Sequence, residues 1–202
     1  MYQNNAKRSA TGEVKLSYVH LNEPYVSPAN PTATPKFSTT ILIPKSDVAT
    51  KTDIENAIKA AYEDGVQNIW KGARPAMRST LIHDGDGLRE NGTPFGPECK
   101  GHWVLTASSA RKPGVYDINN INTPLMPQDV YSGMYARVTL SFYNPKSGNP
   151  VACSLDNVFK TRDGEPLSGG PSAAQDLAGL GITPVAASAT TANINPITGL
   201  PM

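Results

Sequence analysis

The chain predicts a mainly β protein with one α-helix, folded as a small barrel or sandwich. Three observations carry this. Several short segments alternate apolar and polar residues, the period of a strand with one buried face. A single segment repeats its apolar residues at helical spacing. The 17 glycines and 18 prolines among 202 residues are scattered, which cuts the chain into short elements. Pattern alone does not choose between barrel and sandwich.

The elements follow in order. Val14, Leu16 and Tyr18 interleave with Lys15, Ser17 and Val19, predicting a first strand. Phe37, Thr39, Ile41 and Ile43 run as a second strand up to Pro44. Thr52-Asp53-Ile54-Glu55 has the spacing of a capping box, whose side chains satisfy the orphan amides of a first helical turn. Ile54, Ala57, Ile58, Ala61, Tyr62, Val66 and Ile69 then recur as one helical face, with Gly72 as the stop. From Gly72 to Gly101 turn signals dominate, as in His83-Asp84-Gly85-Asp86-Gly87, Asn91-Gly92 and Phe95-Gly96-Pro97, predicting a long loop and not a second domain. Trp103, Leu105 and Ala107 alternate with His102, Val104 and Thr106. Met134, Ala136, Val138, Leu140 and Phe142 form the clearest strand, opposite Tyr135, Arg137, Thr139, Ser141 and Tyr143. The last strand runs from Val151 to Leu155 and on towards Phe159. These elements make one domain over residues 1–170. Residues 171–202 are rich in Ala, Gly, Thr, Asn and Pro and predict a flexible tail, with a short helix at 172–177 capped by Ser172.

The net charge of +1 does not announce a polyanion ligand. Its distribution is more informative. All 18 basic residues lie in 1–162 against 14 acidic ones, while the rest of the chain carries Asp163, Glu165 and Asp176. A mildly basic body is compatible with a nucleic acid. Two cysteines, Cys99 and Cys153, are too few for a disulfide scaffold, so free thiols are expected. No apolar run is long enough to span a membrane, and the N-terminus lacks a signal-type apolar core; a soluble intracellular protein is expected.

Two groups of residues point to a ligand. In the clearest strand the outward positions set Arg137 between Tyr135 and Tyr143. Aromatic rings offer a stacking surface to any base, and a guanidinium beside them meets a phosphate or stacks on a base. The second group is Lys71, Arg74, Arg78, Arg89, Lys100, Arg111 and Lys112, seven cations against four acids over residues 71–112, with Lys160 and Arg162 ending the last strand. Metal chemistry finds less support. His83-Asp84-Gly85-Asp86-Gly87 lacks the oxygen ligands and the spaced glutamate of a calcium loop and reads as a tight turn. Cys99 and His102 have no matching pair for zinc. None of the common nucleophile-elbow, phosphate-loop or zinc-protease motifs occurs, so no enzyme, metal or cofactor is expected.

Several segments together resemble a family of phage single-stranded-DNA-binding proteins. They are Phe37-Ser-Thr-Thr-Ile-Leu-Ile-Pro-Lys45 before the helix, Lys100-Gly-His-Trp-Val-Leu-Thr106, Arg111-Lys-Pro-Gly-Val-Tyr-Asp117, Tyr131-Ser-Gly-Met-Tyr135, Leu155-Asp-Asn-Val-Phe-Lys160, Asp163-Gly-Glu165 and Gly169-Gly-Pro-Ser-Ala173. The resemblance covers roughly residues 12–177, and it is the order and spacing of the motifs that carry it. It implies an OB-type five-stranded β-barrel with long loops that coats single strands in phage replication and recombination, without catalysis or cofactor. The implied binding residues are Tyr135, Arg137 and Tyr143, ringed by Lys100, Arg111, Lys112 and Lys160, with Arg74 and Trp103 completing the set. The implied partners are single-stranded DNA, phage replication proteins and a second copy of the chain, in the cytoplasm of the infected host. One departure stands out: proteins of this kind often end in an acidic tail, and no acid follows Asp176 here. The rival readings are a phage structural or assembly protein, for which Gly/Pro-rich β domains are suited, and a metal-dependent nuclease acting through Asp84 and Asp86.

Overall fold

Alternation becomes curvature in the computed structural model, which describes residues 5–26 and 30–167. All of these fall in the first of two units of the chain, Met1–Ser168. The expected tail at 171–202 and its short helix lie outside the described residues.

Nine strands and one long helix are present among the described residues: β1 (Arg8–Ala10), β2 (Val14–Tyr25), β3 (Lys36–Pro44), α1 (Val48–Asn68), β4 (Ile82–Asp84), β5 (His102–Ser109), β6 (Gly114–Asp117), β7 (Asn120–Pro124), β8 (Tyr135–Tyr143) and β9 (Ala152–Arg162). Five of them close a barrel in the order β2–β3–β5–β9–β8, with β8 returning to β2 through Val14↔Ala136 and Lys15↔Tyr135. Every contact round the ring is antiparallel except β5 with β9. A closed five-strand ring of this kind is an OB-type barrel. The choice that alternation left open, barrel or sandwich, is settled by the double pairing of β8. The short strands lie outside the ring: β1 extends the edge of β8, β4 flanks β5, and the β6–β7 hairpin hangs on β9.

The inward positions of the ring supply the core: Val14, Leu16, Ile41, Ile43, Leu105, Ala107, Ala136, Val138, Leu140, Phe142, Leu155 and Val158. The helix contributes Ile54, Ala57 and Ala61 to the same cluster, with Ile58 and Tyr62 half-buried against it. It begins earlier than the capping-box spacing predicts. The Asp47 carboxylate accepts the Thr50 amide at 3.0 Å, so Thr52 lies inside the helix and not at its start. The helix also ends earlier, at Asn68, with Ile69 as C-cap and 53% exposed, not on the buried face; the Gly72 amide donates back to Val66 at 2.8 Å with φ +90°, closing the turn that follows. Gly65 sits inside the helix for a packing reason. A Cβ there would lie 2.6 Å from the Trp70 ring and 2.7 Å from the Asn144 amide.

Two local departures matter for the site. In β2 a bulge between Ser17 and His20 inverts the phase, so Tyr18, in alternation with buried Val14 and Leu16, faces solvent at 57% exposure with φ +48°, while Val19 packs on the core. The stretch read as one long loop contributes β4 and a 3₁₀ turn at Pro97–Cys99, and it folds over the barrel. There Cys99 and Phe95 cover Leu42 and Val104, outward residues of β3 and β5.

Candidate nucleic-acid interface

Register builds the site. Arg137 of β8 lies opposite Phe159 of β9, and Phe159 lies opposite Tyr116 of β6. Directly paired residues share a face, so these three form one row across the outer surface. The row spans two strand spacings, roughly 10 Å. The Phe159 and Tyr116 rings are 6.2 Å apart and 26° from parallel, both half-exposed, and Arg137 is exposed beside them. At one flank, where β5 and β6 part, Arg111 and Lys112 line a groove of about 300 Å³ with Ser154, Asp156 and Asn157. Among the described residues, Arg137, Arg111, Lys112 and Lys15 form no ion pair, whereas Arg8, Lys160 and Arg162 of the neighbouring strands do.

The next outer row is already occupied by the chain itself. Tyr135 faces outward as expected, but the Arg162 guanidinium lies 3.4 Å over its ring centre. Lys15, paired with Tyr135 in register, holds its ammonium 5.9 Å from the same ring. Glu13 anchors this arrangement, accepting from Thr161 at 2.7 Å and from Arg162 at 3.0 Å. The Thr161 hydroxyl and then the Arg162 guanidinium hold the Glu13 carboxyl below its usual range, with Arg137 adding a weaker attraction. Tyr135 therefore supports cations more than it offers a bare ring.

The other expected residues separate. Tyr143 is 44% exposed but stands eight residues along β8 from Tyr135, roughly 26 Å away, so the two rings are not one platform. Lys100 is exposed on the loop that covers β3 and β5. Three of the expected residues are engaged within the chain. Lys160 pairs in register with inward Ala136 and is buried; its ammonium donates to the Asp129 carbonyl at 2.9 Å, meets Asp163 at 2.7 Å and sits over Tyr131. Arg74 spends its guanidinium on both oxygens of Glu63, at 2.9 and 2.8 Å. Trp103 packs against the core, and its ring is covered by Lys45 and Lys51 at 5.1 and 4.9 Å. Phe159, Tyr116 and Lys15, which stand on this face, are not among the residues expected from sequence, whereas Arg162 is named there only as a cation ending the last strand. The first two stand inside the quoted motifs, but only the β6–β9 pairing shows that they meet.

Asp84 and Asp86 hold an ammonium. Lys45 lies 2.5 and 2.6 Å from the two carboxylates, and its hydrogen bonds keep both below the usual carboxylate range. Asp86 also accepts the Gly101 amide, which ties the turn to the start of β5. Among the described residues no cluster of three or more His, Cys, Asp or Glu is placed to hold a metal. Cys99 and Cys153 are both buried and unbridged, and burial pushes both thiols up. No helix among the described residues is long and apolar enough to cross a membrane.

The ring closure and the outer row together define an OB-type barrel with a cation–aromatic face. The chain belongs to the family described as Enterobacter phage Enc34, ssDNA-binding protein, whose model matches residues 7–185. It is similar to the single-stranded DNA-binding protein from bacteriophage Enc34 in complex with ssDNA, at 26% identity and a TM-score of 0.66, over 80% of this chain and 90% of that one. The same phage protein without DNA aligns at 25% identity and a TM-score of 0.64, over 85% of this chain and 90% of that one. Gp2.5, a single-stranded DNA binding protein encoded by bacteriophage T7, shares the fold at 13% identity and a TM-score of 0.50, over 84% and 93% of the two chains. No curated protein sequence matches this chain.

Proposed function

We propose that this protein binds single-stranded DNA, with little regard to sequence, on the outer face of β6, β9 and β8. The observation that carries the reading is the row Tyr116–Phe159–Arg137, flanked by Arg111 and Lys112 without ion-pair partners among the described residues. Rings stack on any base, and the cations meet the backbone, so no base edge need be read. The role is to coat and protect single strands during phage DNA replication and recombination, in the cytoplasm of the infected bacterium, without catalysis. Phage replication proteins are the partners such a role brings it to.

The test is titration of oligo-dT, followed by fluorescence anisotropy, with the protein and its Phe159→Ala variant. Losing one stacked base costs roughly 1–3 kcal/mol, about 5- to 150-fold in Kd. The ring is only half-buried, so the variant keeps its fold. Equal affinity of the folded variant and the parent would remove this face from the reading. Failure of the parent to bind oligo-dT at all would remove the function.

A further inference from the structure

Next to the outer row the chain already holds an anion, and the anion is its own. Three donors converge on the Glu13 carboxylate. The Thr161 hydroxyl donates to one oxygen at 2.7 Å, and Nε and Nη2 of Arg162 donate to the other at 3.1 and 3.0 Å. Thr161 and Arg162 are the last two residues of β9, so one strand end supplies all three donors. Both partners of the ion pair stay open to solvent: the Arg162 side chain is 53% exposed and that of Glu13 is 40% exposed.

The donors do not depend on Glu13 for their placement. Tyr135 pairs in register with Arg162, and the guanidinium rests 3.4 Å over the centre of its ring. Cations stand on either side. Lys15 lies opposite Tyr135 on β2, and Arg137 lies two residues further along β8, roughly 7 Å away on the same face. Neither is in an ion pair among the described residues, and Arg137 also attracts Glu13. The single negative charge of Glu13 therefore leaves this corner of the face positive. A phosphodiester has the chemistry to replace it. Like a carboxylate it offers two oxygens sharing one negative charge, and the planar guanidinium fork matches both. Displacing Glu13 costs little, since an exposed ion pair is worth no more than about fivefold in an equilibrium constant.

We propose that Thr161 and Arg162 form a phosphate subsite for the bound strand, and that Glu13 fills it until the strand arrives. A backbone phosphate takes the three donors, and the Glu13 carboxylate turns out to solvent. The proposal rests on the single-strand reading above. It extends the strand path by one row, from Arg137 towards β2, and makes Tyr135 the support of a phosphate-binding guanidinium and not a ring for stacking. Glu13 then lowers affinity without touching DNA. A phosphate on Arg162 releases a counterion from the strand, while the freed Glu13 takes one up, so in the parent the exchange adds nothing to the salt slope. With glutamine at 13 there is no charge to take one up, and the slope steepens by about 0.7.

The experiment is titration of oligo-dT at four salt concentrations with the parent, Glu13→Gln, Arg162→Ala and the double variant, each also followed by thermal melting. Glu13→Gln should bind about two- to fivefold more tightly at the lowest salt, with the steeper slope. With Arg162 already replaced, the same substitution should leave the slope where it was. A Glu13→Gln protein that melts like the parent and binds no more tightly overturns the proposal. So does an equal gain in the Arg162→Ala background, which would make Glu13 a negative charge near the strand and nothing more. Arg162→Ala alone should weaken binding; equal or tighter binding by that folded variant overturns the proposal whatever Glu13→Gln does. A parent that does not bind oligo-dT overturns the underlying single-strand reading instead.

Discussion

Arg137→Ala isolates the electrostatic half of the account. Four cations near the outer row, Lys15, Arg111, Lys112 and Arg137, are without ion-pair partners among the described residues. If each neutralises one phosphate, log K for a single strand falls with log salt at a slope of about −2.8, taking roughly 0.7 per contact. Removing Arg137 should bring the slope to about −2.1. The gap between parent and variant then narrows by about fivefold for each tenfold rise in salt. The substitution is on an exposed strand face, and Arg137 makes no side-chain hydrogen bond among the described residues, so stability should move by less than about 0.5 kcal/mol. The assay is oligo-dT affinity at four or five salt concentrations, with Arg74→Ala as the control. Arg74 is committed to Glu63 and should leave the slope unchanged. An unaltered slope in Arg137→Ala would refute the reasoning, and so would an equal loss in Arg74→Ala.

Three further outcomes follow from the packing. Lys160→Ala should cost about 1–3 kcal/mol of stability, because it deletes a buried donor to Asp129, while the folded variant keeps its affinity for oligo-dT. Gly65→Ala should lower Tm despite the better helix propensity of alanine. Forcing a Cβ to 2.6 Å from the Trp70 ring costs about 1–3 kcal/mol, against a gain of about 1 kcal/mol. Asp84, Asp86 and Asp163 are each held below the ordinary carboxylate range, the first two by Lys45 and the third by Lys160 and then Tyr131. Such groups bind protons more tightly when unfolded, so their contribution is complete above about pH 4 and drains away as the pH falls further. Thermal unfolding between pH 7 and pH 2 should show this, and an Asp84→Asn, Asp86→Asn double variant should be less sensitive to acid.

Local periodicity is enough for the parts of the fold that depend on one strand at a time. The inward positions of β8 and β5 and the apolar face of α1 up to Val66 follow from spacing, although Thr139, expected outward, is buried beside a register irregularity and Ile69 lies exposed beyond the helix. What depends on a second strand was not readable. Nothing near Tyr135 in sequence announces that Arg162 covers it, since the two meet only through β8–β9 register. Lys160 looks like one more cation at a strand end until Ala136 is found opposite it. Trp103 shares the parity of Leu105 and packs against the core, with Lys45 and Lys51 over its ring, contacts that spacing along β5 does not show. Tyr18 is the reverse case: a one-residue bulge, invisible in an alternating segment, turns it outward although it alternates with buried Val14 and Leu16. The helix start slipped because Asp47 and Thr52 are both competent caps, and the tertiary contact of Thr50 with the Gly12 amide favours the earlier one.

The central claim is that bases lie on the rings of β6 and β9, and photocrosslinking reads this without altering the protein. An oligo-dT carrying 5-iodouracil, irradiated in complex and digested, reports by mass spectrometry which side chains touch bases. The account predicts adducts on Phe159 and Tyr116. Adducts confined to Tyr143, Trp70 or Trp103, with neither of those two labelled, would contradict it.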